Sequence, residues 1–126
     1  MQIPIEQFEL LVQQAYWDLP ESVRDTLDNL DIVVEDFPGP EAEGSFDSHD
    51  HEHGGTLLGL YVGVPLVERH SADPLMPDCI YIYRLPILSM CDTHDEVVRE
   101  VRTTLLHEIG HYLGLSEQDL DRLGYA

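Results

Sequence analysis

His107-Glu108-Ile109-Gly110-His111-Tyr112-Leu113-Gly114-Leu115-Ser116-Glu117 places two histidines four positions apart, a glutamate beside the first, and then a glycine and a second acid. On an α-helix, residues four apart differ by about 40° in azimuth and by about one turn in height, so His107 and His111 point the same way. Two neutral imidazoles on one face can hold Zn²⁺, and Glu108, one position along, can act as base on a water at the metal. If the helix continued, position 117 would lie roughly 15 Å along the axis from His107, too far to share an ion. Gly114 offers a way out. Glycine accepts the left-handed conformation that ends a helix, and Leu115 is the apolar residue that such a cap packs back. The chain can then turn and bring Glu117 toward the histidines as a third ligand. Glu117 has a second reading. Ser116 followed by Asp119 resembles an N-cap, which would put Glu117 in the first turn of a terminal helix, where an acid suits the dipole.

At 126 residues the chain is expected to form one domain, with a single modest core over residues 1–126. No stretch approaches the length of a membrane span. The N-terminal MQIPIEQFEL lacks a basic region followed by an apolar run, so no secretory signal is expected and the default location is cytoplasmic. Cys79 and Cys91 form no CxxC pair and read as free thiols of a reducing compartment. Six Lys and Arg against 25 Asp and Glu leave a net charge of −19. That sign argues against nucleic acid or anionic membrane as partners. It serves solubility and would also attract a cationic partner or substrate.

Periodicity places the elements. Phe8, Leu11, Val12, Ala15, Tyr16 and Leu19 recur at helical spacing over residues 6–19, and Val23, Leu27 and Leu30 mark a shorter helix opened by Pro20. Ile32-Val33-Val34-Glu35 reads as a first strand. Residues 36–56 are rich in Gly, Pro and acids and are expected to be a mobile loop. Inside it, His49, His51 and His53 alternate with acids, a tract suited to weak Zn²⁺ or Ni²⁺ binding. Leu57 to Val64 reads as a second strand, and Cys79-Ile80-Tyr81-Ile82-Tyr83-Arg84 as a third with both tyrosines on one face. Thr93 and Glu96 form a capping box that opens a helix running to about Leu113, with Val97, Val101, Leu105 and Ile109 as its buried stripe. Leu120 and Leu123 suggest a last short helix.

With HEIGHYLGLSEQDL, the amphipathic N-terminal helix, DIVVED, GLYVGVPLVER and IYIYRLPIL, nearly the whole chain resembles the small bacterial metallopeptidase-like proteins of the zincin class, the minimal metalloproteases. The resemblance implies a compact α+β domain, with a small mixed sheet of about three strands packed on helices and the HExxH on a long C-terminal helix. It also implies His107 and His111 as metal ligands and Glu108 as general base. The third ligand of that group is commonly aspartate, whereas this chain has Glu117, one methylene longer. The spacing is similar to that of metzincins, whose third ligand is usually histidine.

The activity expected from this set is zinc-dependent hydrolysis of short or unfolded peptides by metal-activated water, with Zn²⁺ as cofactor and a peptide or protein as substrate. His94, Tyr81, Tyr83 and Arg84 are candidates by residue type for stabilising the oxyanion, and the strands near 57–62 and 79–84 for pairing with a peptide. The alternative is a non-catalytic module in which a structural zinc closes the C-terminal turn.

Overall fold

The computed structural model describes residues 1–27, 29–43, 50–53, 56–63 and 78–123. The element order is α1 (Ile5–Trp17), α2 (Glu21–Arg24), β1 (Leu30–Glu35), α3 (Pro40–Glu43), β2 (Asp50–His53), β3 (Thr56–Val62), β4 (Asp78–Tyr83), α4 (Arg84–Ser89), α5 (His94–Tyr112) and α6 (Glu117–Leu123). The expected second helix is a single turn, because beyond Arg24 the chain tightens into hydrogen-bonded turns from Val23 to Thr26 and from Arg24 to Leu27.

The three expected strands form the interior and one margin of a four-stranded mixed sheet ordered β1-β4-β3-β2. β1 pairs with β4 in parallel, while β3 pairs antiparallel with β4 and β2. The fourth strand corrects the reading of residues 36–56 as one loop, because α3 and β2 both fall within that span. The physical reason is non-local. Alternating His and acid satisfy the two-residue period of a strand, and β3 supplies the partner. His49 and the stretch 64–77 lie outside the described residues.

Strand pairing assigns the faces. Ile80 and Ile82 of β4 share a face with Tyr61 and Gly59 of β3 and with Ile32 and Val34 of β1. That face joins one apolar core with Phe8, Val12 and Ala15 of α1 and Val97, Val101, Leu105 and Ile109 of α5. Tyr81 and Tyr83 lie together on the other face, stacked with ring centroids 6.3 Å apart. Arg84 ties the N-terminus down: it donates to Asp36 Oδ1 at 2.9 Å and to the carbonyl of Ile3 at 2.8 Å. Cys79 and Cys91 are free thiols. No helix among the described residues is long and apolar enough to cross a membrane.

Both ends of α5 are built as its sequence demands. At the N-terminus Thr93 Oγ1 accepts the amide of Glu96 at 3.2 Å, and Glu96 Oε1 accepts the amides of Asp92 and Thr93 at 2.9 and 3.0 Å. These bonds, that from Asp92 foremost, hold the Glu96 carboxyl below its ordinary range. A folded-state value below the unfolded one means that the contribution is complete above the ordinary glutamate range and fades as pH falls through the lower value. Acid titration followed by helical circular dichroism is therefore expected to show a loss of stability beginning below about pH 4.3. In Glu96→Gln that component should be missing, and a titration identical to wild type would remove Glu96 as its source.

Candidate active site

The helix that carries the motif ends where its glycine stands. Gly114 adopts φ +86°, its amide bonds the carbonyl of His111 at 3.0 Å, and the amide of Leu115 bonds that of Gly110 at 2.9 Å. This pair of bonds is a Schellman cap, which closes the carbonyls left open at a helix end. The chain turns at once into α6. Ser116 Oγ accepts the amide of Asp119, and Asp119 Oδ2 accepts that of Ser116, each at 3.1 Å. Glu117 is thus the first residue of α6. The helix-start reading of this position holds for its backbone, and its side chain lies outside the described residues.

His107 and His111 are 3% and 2% exposed. Their Nε2 atoms face each other at 3.1 Å, and the rings cross at 77°. A zinc ion bound at about 2.0–2.1 Å to each of two nitrogens in a tetrahedral site holds them roughly 3.3 Å apart. The separation of the pair therefore fits two corners of such a site. Among the described residues no group of three or more His, Cys, Asp and Glu is gathered in this way.

Glu108 differs from the histidines in where it points. It continues the run Val97, Val101, Thr104 at helical spacing, all of it buried. The carboxylate thus stands in the row that packs on the sheet, and it is 0% exposed. Burying a carboxylate is costly, and a helix packed for stability alone would place an apolar residue here. That signal is legible in the sequence and is sharper than the histidine spacing. The partner surface is not. It is Gly59 of β3, where a methyl group would stand 2.5 Å from Thr104 Cγ2, 3.1 Å from the carbonyl oxygen of Tyr81 and 3.6 Å from Glu108 Cγ. The bare glycine lets the last turns of α5 lie against the strand. Residues 107–112 are consequently buried on all sides, whereas an amphipathic reading would put the histidines on an open face.

β2 is drawn to the same place, since His51 is the register partner of Gly59 and His53 of Thr56. The backbone of the histidine tract thus runs beside the strand that Glu108 packs on. The other candidates fall elsewhere. His94 opens α5, roughly 20 Å along the helix from His107. Tyr81 and Tyr83 lie on the face of the sheet away from Glu108, and Arg84 is bound to Asp36 and Ile3. The hydroxyl of Tyr83 donates to Glu41 Oε2 at 3.0 Å. Burial first, and then this bond, push its phenol well above the ordinary tyrosine range, so it stays a proton donor to α3. Among the described residues β3 and β4 are interior strands, and β1 and β2 form the margins of the sheet.

One buried polar pair has no signature in the sequence. Tyr61 donates to Asp78 Oδ2 at 2.8 Å, and its ring meets that of Tyr112 edge-on at 5.8 Å. Tyr112 in turn donates to the carbonyl of Thr26 at 3.2 Å. The pair braces the helix turn that bears His111 against β3 and β4.

Comparison with known proteins agrees with this architecture. The zincin-like metallopeptidase family matches residues 27–125. This chain belongs to that family. The match takes in the whole sheet and both ends of α5, so in this member of the family the helix that bears the HExxH lies against a glycine of β3. A conserved hypothetical protein from T. thermophilus is similar in structure, with a TM-score of 0.54 and 24% identity over 88% of this chain and 94% of that one. At that identity the likeness concerns the fold. No curated protein matches this chain.

The contact at Gly59 can be tested without reference to catalysis. Gly59→Ala is expected to cost about 1–3 kcal/mol in urea unfolding, as overpacking does. Because the nearest atom is Thr104 Cγ2, adding Thr104→Ser, which removes that methyl, should recover part of the loss. Strict additivity of the two changes would show that they do not touch. Tyr61→Phe should cost about 1–3 kcal/mol by withdrawing a donor from the buried Asp78 carboxylate.

Proposed function

We propose that the protein is a zinc-dependent peptidase acting on extended peptide chains, with His107 and His111 as metal ligands, Glu108 as the proton-transferring base and Glu117 as the third ligand. The reading is carried by one observation: two buried imidazole nitrogens face each other at 3.1 Å on one helix, and the glutamate between them in the sequence, Glu108, is fully shielded from solvent. Family membership supports zinc as the ion, as it is typical of zincins. When bound, zinc polarises a scissile carbonyl and lowers the pKa of a water toward about 7.

The remaining chemistry belongs to the chain. Each histidine must be neutral with its lone pair on Nε2, so the proton of each ring resides on Nδ1. Glu108 takes a proton on its carboxylate oxygen and delivers it to the departing amine, which then leaves as a neutral group. Its burial between α5 and Gly59 holds the carboxylate in one orientation and keeps bulk water from competing for it. The Schellman turn at Gly114 sets the direction in which Glu117 leaves the helix. Groups this deep are reached by a narrow extended segment and not by a folded surface, which favours short or unfolded peptides. The charge of −19 favours cationic ones.

The same burial favours a second reading, in which His107 and His111 hold a structural zinc closed to substrate. Metal content and cleavage of a quenched peptide library, measured side by side on zinc-loaded wild type and Glu108→Gln, separate the two. The peptidase should bind one zinc per chain in both forms and lose about 10²–10⁴-fold of its cleavage rate in the variant. Zinc in both with cleavage by neither identifies the structural module. If neither form takes up zinc at micromolar concentration, both readings fail.

A further inference from the structure

The sheet has two margins, and they are treated differently. Native sheets blunt exposed strands with a bulge, a proline, a lysine or mere shortness. β2 is four residues long and has a register shift between His51 and Glu52. β1, Leu30-Asp31-Ile32-Val33-Val34-Glu35, is six residues long, in even register with β4, and contains neither proline nor lysine; its one protection is the pair of exposed acids Asp31 and Glu35, which repels like-charged strands and leaves the edge open to basic ones.

A groove of about 430 Å³ runs between α1 and β1 and touches all five residues from Leu30 to Val34. Successive strand residues point to opposite faces, so a groove that meets five in a row follows the strand's edge and its backbone. The direction of the free amides can be deduced. The carbonyl of Asn29 accepts the amide of Asp78 in β4. By alternation Asp31 and Val33 bond to β4, while Ile32 and Val34 turn their N–H and C=O groups outward, into the groove. Among the described residues no turn or loop backbone bond ends on Ile32 or Val34.

Chemistry selects the occupant. Glu9 and Asp31 line the groove, and the charges within β1 itself, Asp31 and Glu35, are all negative. A second copy of a chain carrying −19 would bring like charges together along the whole edge. A basic segment would not. At the end of the groove stands Trp17, 64% exposed, with the guanidinium carbon of Arg24 5.0 Å from its ring centroid, so this indole already receives a cation on its face.

We propose that β1 is a docking strand, to which an extended arginine- or lysine-bearing segment of another protein adds as a fifth strand. Backbone bonds to Ile32 and Val34 supply the pairing, and Glu9 and Asp31 receive its cations. The surface lies at the sheet margin opposite β2 and owes nothing to the metal chemistry.

The probe is an alternating Arg-Val peptide of about six residues, the length of an ordinary strand. It is titrated into full-length Glu108→Gln protein, so that cleavage cannot confuse the reading. Trp17 is the sole tryptophan, so its emission reports occupancy, and ¹⁵N shifts locate it. Saturable binding with shifts at residues 30–34 is expected. Asp31→Lys, a change at an exposed position, should weaken it by about tenfold or more with the circular dichroism unchanged. The same peptide N-methylated on alternate amides keeps its charge and loses the pairing, and should bind about tenfold more weakly or worse. Equal binding of the methylated peptide would reduce the effect to bulk charge and overturn the proposal. Shifts confined to β2, absence of saturation, or self-association of the protein through β1 would overturn it as well.

Discussion

A helix can approach a strand as closely as α5 approaches β3 only if the strand offers no side chain at the crossing, and Gly59 meets that condition. Much else follows from this contact. Thr104 Cγ2 takes the space of a β-carbon at Gly59, and Glu108 Cγ lies in van der Waals reach of the same spot, with its carboxylate fully buried. The next residues of α5 are then carried down with it, and His107 and His111 converge below the surface instead of facing solvent.

A buried carboxylate is tolerated when the structure around it is stiff and is strained when it is not. Stiffness here comes from both ends of α5. A reciprocal cap at Thr93 and Glu96 and a Schellman turn at Gly114 leave few backbone groups unsatisfied. The apolar stripe from Val97 to Ile109 meets α1 and the central strands in one continuous core. Tyr61, hydrogen-bonded to Asp78 and packed edge-on against Tyr112, holds the last turn from the side. Site geometry and core packing are therefore the same set of contacts. A change that loosens the packing displaces the imidazoles too.

The two margins of the sheet divide the molecule. β2 lies beside the strand on which Glu108 rests, and its backbone contributes to the surroundings of the site. β1 lies at the far margin, beyond β4, is bordered by acids and an exposed indole, and has neither bulge nor proline. A chain with an excess of 19 negative charges can leave such a strand open, because copies of itself repel one another.

What the sequence determined by itself is local. The caps of α5, the glycine stop, the terminal helix and the two-residue period of β4 rest on neighbours within four positions, so they can be read one stretch at a time. Glu108 in the row of Val97, Val101 and Thr104 belongs to the same class of signal. What only the tertiary structure decided depends on partners distant in the chain. Residues 30–35 pair in parallel with residues 78–83, which made β4 an interior strand and β1 a margin. β3 drew the histidine tract into the sheet as β2. Gly59, one position within the segment read as the second strand, became the seat of a helix. No local pattern encodes such choices, because strand order and helix seating are set by which surfaces meet when the core closes, and each surface is defined by residues tens of positions apart.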